Sequence, residues 1–220
     1  MMVIQSIILR KGESIMDGLT YLKKLQEAYY ERGGKEVWDT LMSKAHGISP
    51  DDRAELIAEY PDIPASLLQI LDRIDGTYYR TYGDEEFCTY FFGSDVEDGT
   101  YPYYLHAYND IMEDRERVQD FDDVFKAHLQ YPDDDMLYVT DKVLCEPEKM
   151  KWLCFSHCMN NGGTSSLYVD FTPSEKGTAG QIVRFLHDPD NVEVIADSFD
   201  AFLDMIVENG LGFVSSENFE

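Results

Sequence analysis

Residues 165–209 read SSLYVDFTPSEKGTAGQIVRFLHDPDNVEVIADSFDAFLDMIVEN, and this stretch decides the fold. Three short segments within it, 165–171, 181–187 and 192–196, are rich in β-branched and aromatic residues. Gly, Pro, Asn and Asp separate them, and segments bounded in this way predict consecutive β-strands. A helix over 199–209 is predicted to follow, because its apolar residues recur at three- and four-residue steps.

The segments upstream predict another strand at residues 152–158, a hairpin and several helices. The predicted elements are helices over residues 19–30, 50–60 and 64–76 and a hairpin over 77–82 and 86–92. Ser49 can cap the second of these helices, and Gly76 suits the C′ position of the third. The order of helices, an antiparallel meander and a final helix predicts an α+β fold, in which several helices pack one antiparallel sheet.

Residues 93–135 form a strongly acidic stretch with 13 Asp/Glu against 3 Lys/Arg. Charged helices are expected near 111–118 and 121–130. We interpret the stretch as partly strand and partly an exposed, acidic elaboration of the domain.

The first fifteen residues are interpreted as a non-native extension. Lys11-Gly12-Glu13 can be encoded by a purine-rich ribosome-binding sequence, and Met16 follows at a suitable distance. This spacing predicts that translation starts at Met16 in a bacterial host. Residues 16–220 are predicted to form a single domain. The alternative is that residues 1–15 form a short N-terminal strand.

The formal net charge of −25 is concentrated after residue 50. Residues 51–220 hold 37 Asp/Glu and 11 Lys/Arg, whereas residues 1–50 hold 6 and 7. A field this negative repels nucleic acid and anionic membranes, and it attracts basic proteins. The alternative is that the charge serves only solubility.

The sequence predicts a cytoplasmic location. No apolar segment approaches the roughly 20 residues of a membrane helix. The apolar run at 3–9 also lacks the preceding basic residue of a signal peptide. In that compartment Cys88, Cys145, Cys154 and Cys158 are expected to be free thiols.

Two loops have residues that are typical of phosphate or calcium sites, but neither has the complete motif of such a site. Gly177-x-x-Gly180 precedes a predicted strand and has no Lys-Ser/Thr pair after it, so phosphate binding is not expected. Asp133-Asp134-Asp135 lacks the alternating spacing and closing Glu of a calcium loop. We interpret this acidic triplet as a solvated turn.

Metal and hydrolytic chemistry are weakly supported by the sequence. Cys154-x-x-His157-Cys158, with Cys145 upstream, offers metal-ligand types. On a strand, however, His157 would face away from Cys154 and Cys158, so buried core thiols are expected. The five histidines accompany no Gly-x-Ser-x-Gly motif. We therefore predict no catalytic residues, no metal and no cofactor.

Four segments together resemble the SMI1/KNR4 family of the SUKH superfamily. They are LYVDF at 167–171, GTAGQIV at 177–183, IADSFDAFL at 195–203, and the upstream helix from IPASLL at 63–68 to IDG at 74–76. The resemblance covers about residues 51–210. The N-terminal helix and the acidic stretch 93–135 depart from the compact form of the family.

This resemblance implies a protein-binding domain rather than an enzyme. Bacterial members look like immunity proteins that neutralise toxins, many of them nucleases, and fungal relatives are linked to cell-wall glucan synthesis. It also implies that Gly177 and Gly180 turn the backbone between two strands.

A basic nuclease-type toxin is therefore the expected partner. An acidic inhibitor can fill the basic groove of a nuclease with carboxylates in place of phosphates. The expected partner-binding residues are Asp95, Glu97, Asp98, Tyr101, Tyr103, Tyr104, Glu113, Asp114, Asp133, Asp134 and Asp135. The tyrosines would be aromatic anchors, or alternatively core residues.

Two other functions are kept as alternatives. One is a regulatory scaffold for envelope polysaccharide synthesis. The other is a metal-dependent hydrolase that uses Cys154, His157 and nearby acids.

Overall fold

The computed structural model describes residues 16–115, 121–131, 136–158, 165–187 and 189–219, without the side chain of Asp98. Several predictions fall outside the described residues. They concern the extension at 1–15, the end of a helix at 116–118, the acidic triplet at 133–135 and the turn at 160–163.

The described residues contain seven α-helices, and three of them begin at a residue whose side chain accepts a capping hydrogen bond. They are α1 Gly18–Glu31, α2 Lys35–Lys44, α3 Pro50–Glu59, α4 Ala65–Leu71, α5 Tyr108–Glu113, α6 Asp122–Gln130 and α7 Phe199–Glu208. Ser49 accepts a hydrogen bond from the backbone N–H of Asp52 at the start of α3. Ser198 caps α7 by accepting from the N–H of Ala201.

Two helices differ from the prediction. Helix α2 was not predicted, although Trp38 and Leu41 give it a buried face. Helix α4 ends at Leu71 rather than near Gly76. The carbonyl of Leu71 accepts a hydrogen bond from the N–H of Ile48, so a tertiary contact replaces the next helical turn.

Within the described part of the chain, six strands form the main sheet, in the order β3-β5-β6-β7-β8-β4. Their bounds are β3 Tyr104–Leu105, β4 Leu137–Val139, β5 Trp152–Cys158, β6 Ser165–Asp170, β7 Gln181–Leu186 and β8 Asp190–Ala196. The meander β5–β8 is antiparallel as predicted. Strand β4 pairs with β8 in parallel, so the sheet is mixed. Arg80–Tyr82 (β1) and Glu85–Phe87 (β2) form the predicted hairpin as a separate two-stranded sheet.

The acidic stretch 93–135 is built into the fold. Its strand β3 forms one edge of the sheet, and β4, directly after the stretch, forms the opposite edge. Helices α5 and α6 lie between these two strands in the chain. The stretch therefore crosses from one edge of the sheet to the other, with strand and helical parts as predicted.

Side chains on the two faces of the sheet belong to two separate hydrophobic clusters. Leu153 and Phe155 of β5 join the larger cluster, which includes residues of α1–α4 and α7. Trp152 joins the smaller cluster, where it packs near Phe121 and Tyr168. A layer of helices thus covers one face, while α6 and Phe121 directly before it cover part of the other.

A bulge in β5 corrects the predicted orientation of its cysteines. The register with β6 shifts between Cys154 and Ser156. The extra residue reverses the alternation, so Cys154 lies in the smaller cluster and Cys158 in the larger one. The prediction that these two thiols share one face is therefore wrong.

The Gly177-x-x-Gly180 loop turns the backbone between β6 and β7. At Gly177, an added Cβ would lie 2.4 Å from the carbonyl oxygen of Lys142 and 2.8 Å from Gln181 Oε1. Gly180 has a φ of +87° but open space where a side chain would be. Close approach therefore requires glycine at the first position, and the left-handed backbone favours it at the second.

Gly177→Ala is expected to lower the free energy of unfolding by about 1–3 kcal/mol, because backbone atoms must shift to admit the methyl group. Gly180→Ala should cost only about 1 kcal/mol, the usual cost of a left-handed alanine. Urea unfolding of both variants measures the difference. A Gly177→Ala variant as stable as the wild type would contradict this account of the loop.

Among the residues described, no helix combines the length and the apolar character needed to cross a membrane.

Candidate protein-binding surface

Four of the acids predicted to bind a partner have side chains that the structure describes, and these fall into two groups. Glu97 and Glu113 have exposed side chains. Asp95 is also exposed, but its carboxylate accepts two hydrogen bonds from the buried Arg184, Nε to Oδ1 at 2.7 Å and Nη2 to Oδ2 at 3.1 Å. Asp114 is half-buried, with Oδ2 at 3.8 Å from Nδ1 of the buried His106. Asp95 therefore balances a buried charge within the protein.

All three predicted tyrosine anchors are buried, and two of them belong to the larger hydrophobic cluster. Tyr101 and Tyr103 are 4% and 0% exposed, and their rings are 5.5 Å apart. The Tyr103 hydroxyl shares a hydrogen bond of 3.0 Å with Ser165 Oγ. This is the core alternative that the sequence left open.

Tyr104 lines an open surface pocket of about 260 Å³. The residues that line it are Tyr79, Cys88, Tyr90, Tyr104, Glu217 and Asn218. They come from the segment around the β1–β2 hairpin, from β3 and from the end of the chain. The fold therefore brings together segments that are far apart in the chain and that no sequence motif connects.

Aromatic rings continue from the pocket wall in a connected series. The rings of Tyr90 and Tyr104 lie 4.6 Å apart, and Tyr78 lies 4.8 Å from Tyr104 and from Tyr79. Burial raises the pKa of the Tyr104 hydroxyl well above its usual range, so that hydroxyl is neutral at physiological pH. Neutral aromatic faces beside the carboxylate of Glu217 suit a Lys or Arg side chain.

Tyr79 is the most exposed of these rings, at 59%. Its backbone has a φ of +44°, in the left-handed region that bulky residues seldom adopt. Such a conformation costs on the order of 1–3 kcal/mol and often occurs at functional sites. The surrounding fold therefore holds the backbone of Tyr79 in an unfavourable conformation, and this conformation presents the ring at the pocket.

Tyr78, Tyr79, Tyr90 and Glu217 were not predicted as site residues. The available signal was the tyrosine-rich composition of residues 78–104, which also fits a core. Only the tertiary structure separates exposed Tyr79 from buried Tyr103.

Comparison with known proteins agrees with this fold. No curated protein matches the chain. A family model described as the SMI1 / KNR4 family (SUKH-1) matches residues 47–205. That range holds the main sheet and most of the helices, and it is well over half of the chain. The chain therefore belongs to the SMI1/KNR4 family (SUKH-1).

Proposed function

We propose that this protein is an immunity-type domain that binds and neutralises a basic, nuclease-type toxin. Membership of the SMI1/KNR4 family is consistent with an immunity-type or regulatory protein-interaction domain. The observation that carries the toxin proposal is the charge: residues 51–220 hold 37 Asp/Glu against 11 Lys/Arg. Such a field accelerates the approach of a basic protein and complements its surface.

Two kinds of contact support binding to a basic surface. Exposed carboxylates such as Glu97 and Glu113 occupy the toxin's groove at the positions where the phosphates of its nucleic-acid substrate would otherwise bind. The tyrosine-lined pocket accepts one Lys or Arg side chain between its rings, and Glu217 supplies the opposite charge. The acidic triplet Asp133-Asp134-Asp135 and Asp98 remain part of the proposal from sequence alone.

Affinity capture from the native host tests this function. The tagged chain is incubated with lysate at low salt, and bound proteins are eluted by raising the salt concentration. We expect one basic protein to elute with salt, because screening weakens long-range attraction between opposite charges. Recovery of envelope-synthesis enzymes without a basic protein would favour a regulatory scaffold instead.

Tyr79→Ala is expected to weaken binding of the captured partner by about tenfold or more, as loss of a central aromatic contact does. Tyr30→Ala is the matched control, because Tyr30 is 38% exposed and lies outside both the pocket and the acidic stretch 93–135. The control should change the dissociation constant by less than about threefold. Calorimetric titration measures the dissociation constant of both variants. Equal changes in the two variants would show that the pocket is not part of the interface.

A further inference from the structure

Three metal-ligand side chains of different types converge near the C-terminal end of helix α5. They are His106, directly after β3, Asp114, directly after α5, and Cys154 in β5. One ligand atom from each lies within 4.8 Å of the other two. His106 and Cys154 are buried, and the Asp114 side chain is 13% exposed.

The imidazole of His157 fixes the orientation of His106. His106 Nε2 and His157 Nδ1 are 2.5 Å apart, so one ring donates a hydrogen bond to the other. If His106 donates through Nε2, its Nδ1 carries the lone pair, and Nδ1 is the atom that lies 3.8 Å from Asp114 Oδ2. Histidines that bind metals are commonly held by a hydrogen bond from the second ring nitrogen.

We propose that His106 Nδ1, Cys154 Sγ and an oxygen of Asp114 bind one zinc-type divalent ion. Nitrogen, sulfur and carboxylate donors together favour Zn²⁺ or Co²⁺ over Ca²⁺ and Mg²⁺, which prefer oxygen ligands. Ligand atoms around tetrahedral zinc lie about 3.5 Å apart. Closing the group from 4.8 Å therefore needs small side-chain rotations, chiefly of the half-buried Asp114.

The bound ion would join the acidic stretch to the central sheet. Two ligands, His106 and Asp114, belong to residues 93–135, and Cys154 belongs to β5. Three protein ligands leave a fourth position for water or another small ligand. The group differs from the cysteine-rich motif in the sequence, because it uses Cys154 but neither Cys145 nor Cys158.

Metal titration of the full chain tests the site directly. The metal-free protein is titrated with Co²⁺ and with Zn²⁺ in the presence of a non-thiol reductant. We expect one equivalent of either ion to bind, and Co²⁺ to give a thiolate-to-cobalt charge-transfer band. Zn²⁺ should also raise the midpoint of thermal unfolding, because it binds only the folded state. Failure of the wild-type chain to bind one equivalent would overturn the proposal.

Cys154→Ser and Cys158→Ser form a matched pair, because both thiols are buried in β5 and lie in different clusters. Cys154→Ser should lose the charge-transfer band and weaken Zn²⁺ binding by more than about tenfold, whereas Cys158→Ser should keep both. If Cys154→Ser does not fold, Asp114→Asn carries the test, with Zn²⁺ binding weakened by about tenfold or more. Equal metal binding in the wild type and in Asp114→Asn, or a band lost in Cys158→Ser, would contradict the assignment.

Discussion

Phe92→Ala is expected to lower the free energy of unfolding by about 3–5 kcal/mol, the usual range for a buried phenylalanine. Phe92 is 0% exposed. Its ring stacks on Tyr21 of α1 with centroids 5.6 Å apart. It also meets Phe155 of β5 at 5.5 Å and Phe202 of α7 at 5.8 Å. Removing this ring leaves a cavity where two helices meet the sheet.

Urea unfolding of Phe92→Ala and Phe92→Leu measures the effect. Leucine keeps much of the volume, so Phe92→Leu should lose less stability than Phe92→Ala. Tyr131→Ala, at an exposed ring, should stay within about 0.5 kcal/mol of the wild type. A Phe92→Ala variant that loses less than about 1 kcal/mol would show that this aromatic cluster does not hold the layers together.

Stability should fall as pH rises through the titration of the buried Asp170. Its carboxylate accepts hydrogen bonds from the N–H of Thr172 at 2.8 Å and from Gln181 Nε2 at 2.9 Å. Burial nevertheless raises the pKa of Asp170 from 3.8 to about 6. The folded protein therefore holds the proton more tightly than the unfolded chain does. This contribution is fully present below pH 3.8 and is lost by about pH 6.

Asp170→Asn isolates the titration, because asparagine stays neutral at every pH. The unfolding free energy of the wild type, relative to the variant, should fall by about 3 kcal/mol between about pH 3.5 and pH 6.5. Asp141→Asn is the control: the hydrogen bond from Lys176 lowers the pKa of the exposed Asp141. The unfolding free energy of the wild type relative to Asp141→Asn should therefore rise with pH, opposite to the change for Asp170→Asn. A difference for Asp170→Asn that is constant with pH would contradict the raised pKa.

Local patterns predicted the centre of the fold better than its edges. The meander β5–β8 and helix α7 follow from apolar periodicity and turn residues, because each is long enough to show its own pattern. Strands β3 and β4 have only two and three residues. Their position at the two sheet edges depends on tertiary packing, as does the parallel pairing of β4 with β8.

The candidate sites were less predictable, because each one joins distant segments. The pocket brings Tyr79 and Tyr90 to Glu217 at the end of the chain. The proposed metal ligands His106 and Cys154 are 48 residues apart by their numbers, and no motif spacing connects them. The bulge in β5 also reverses the face that alternation predicts for Cys158.

An immunity protein must abolish the activity of the toxin that it binds, so inhibition of the captured protein is the decisive measurement. The basic protein captured from the host is assayed for nuclease activity with increasing amounts of the purified chain. We expect nuclease activity to be lost at one chain per toxin molecule and to return when salt dissociates the complex. A captured protein that stays fully active at saturating chain, or that has no toxic activity, would contradict the proposed immunity function.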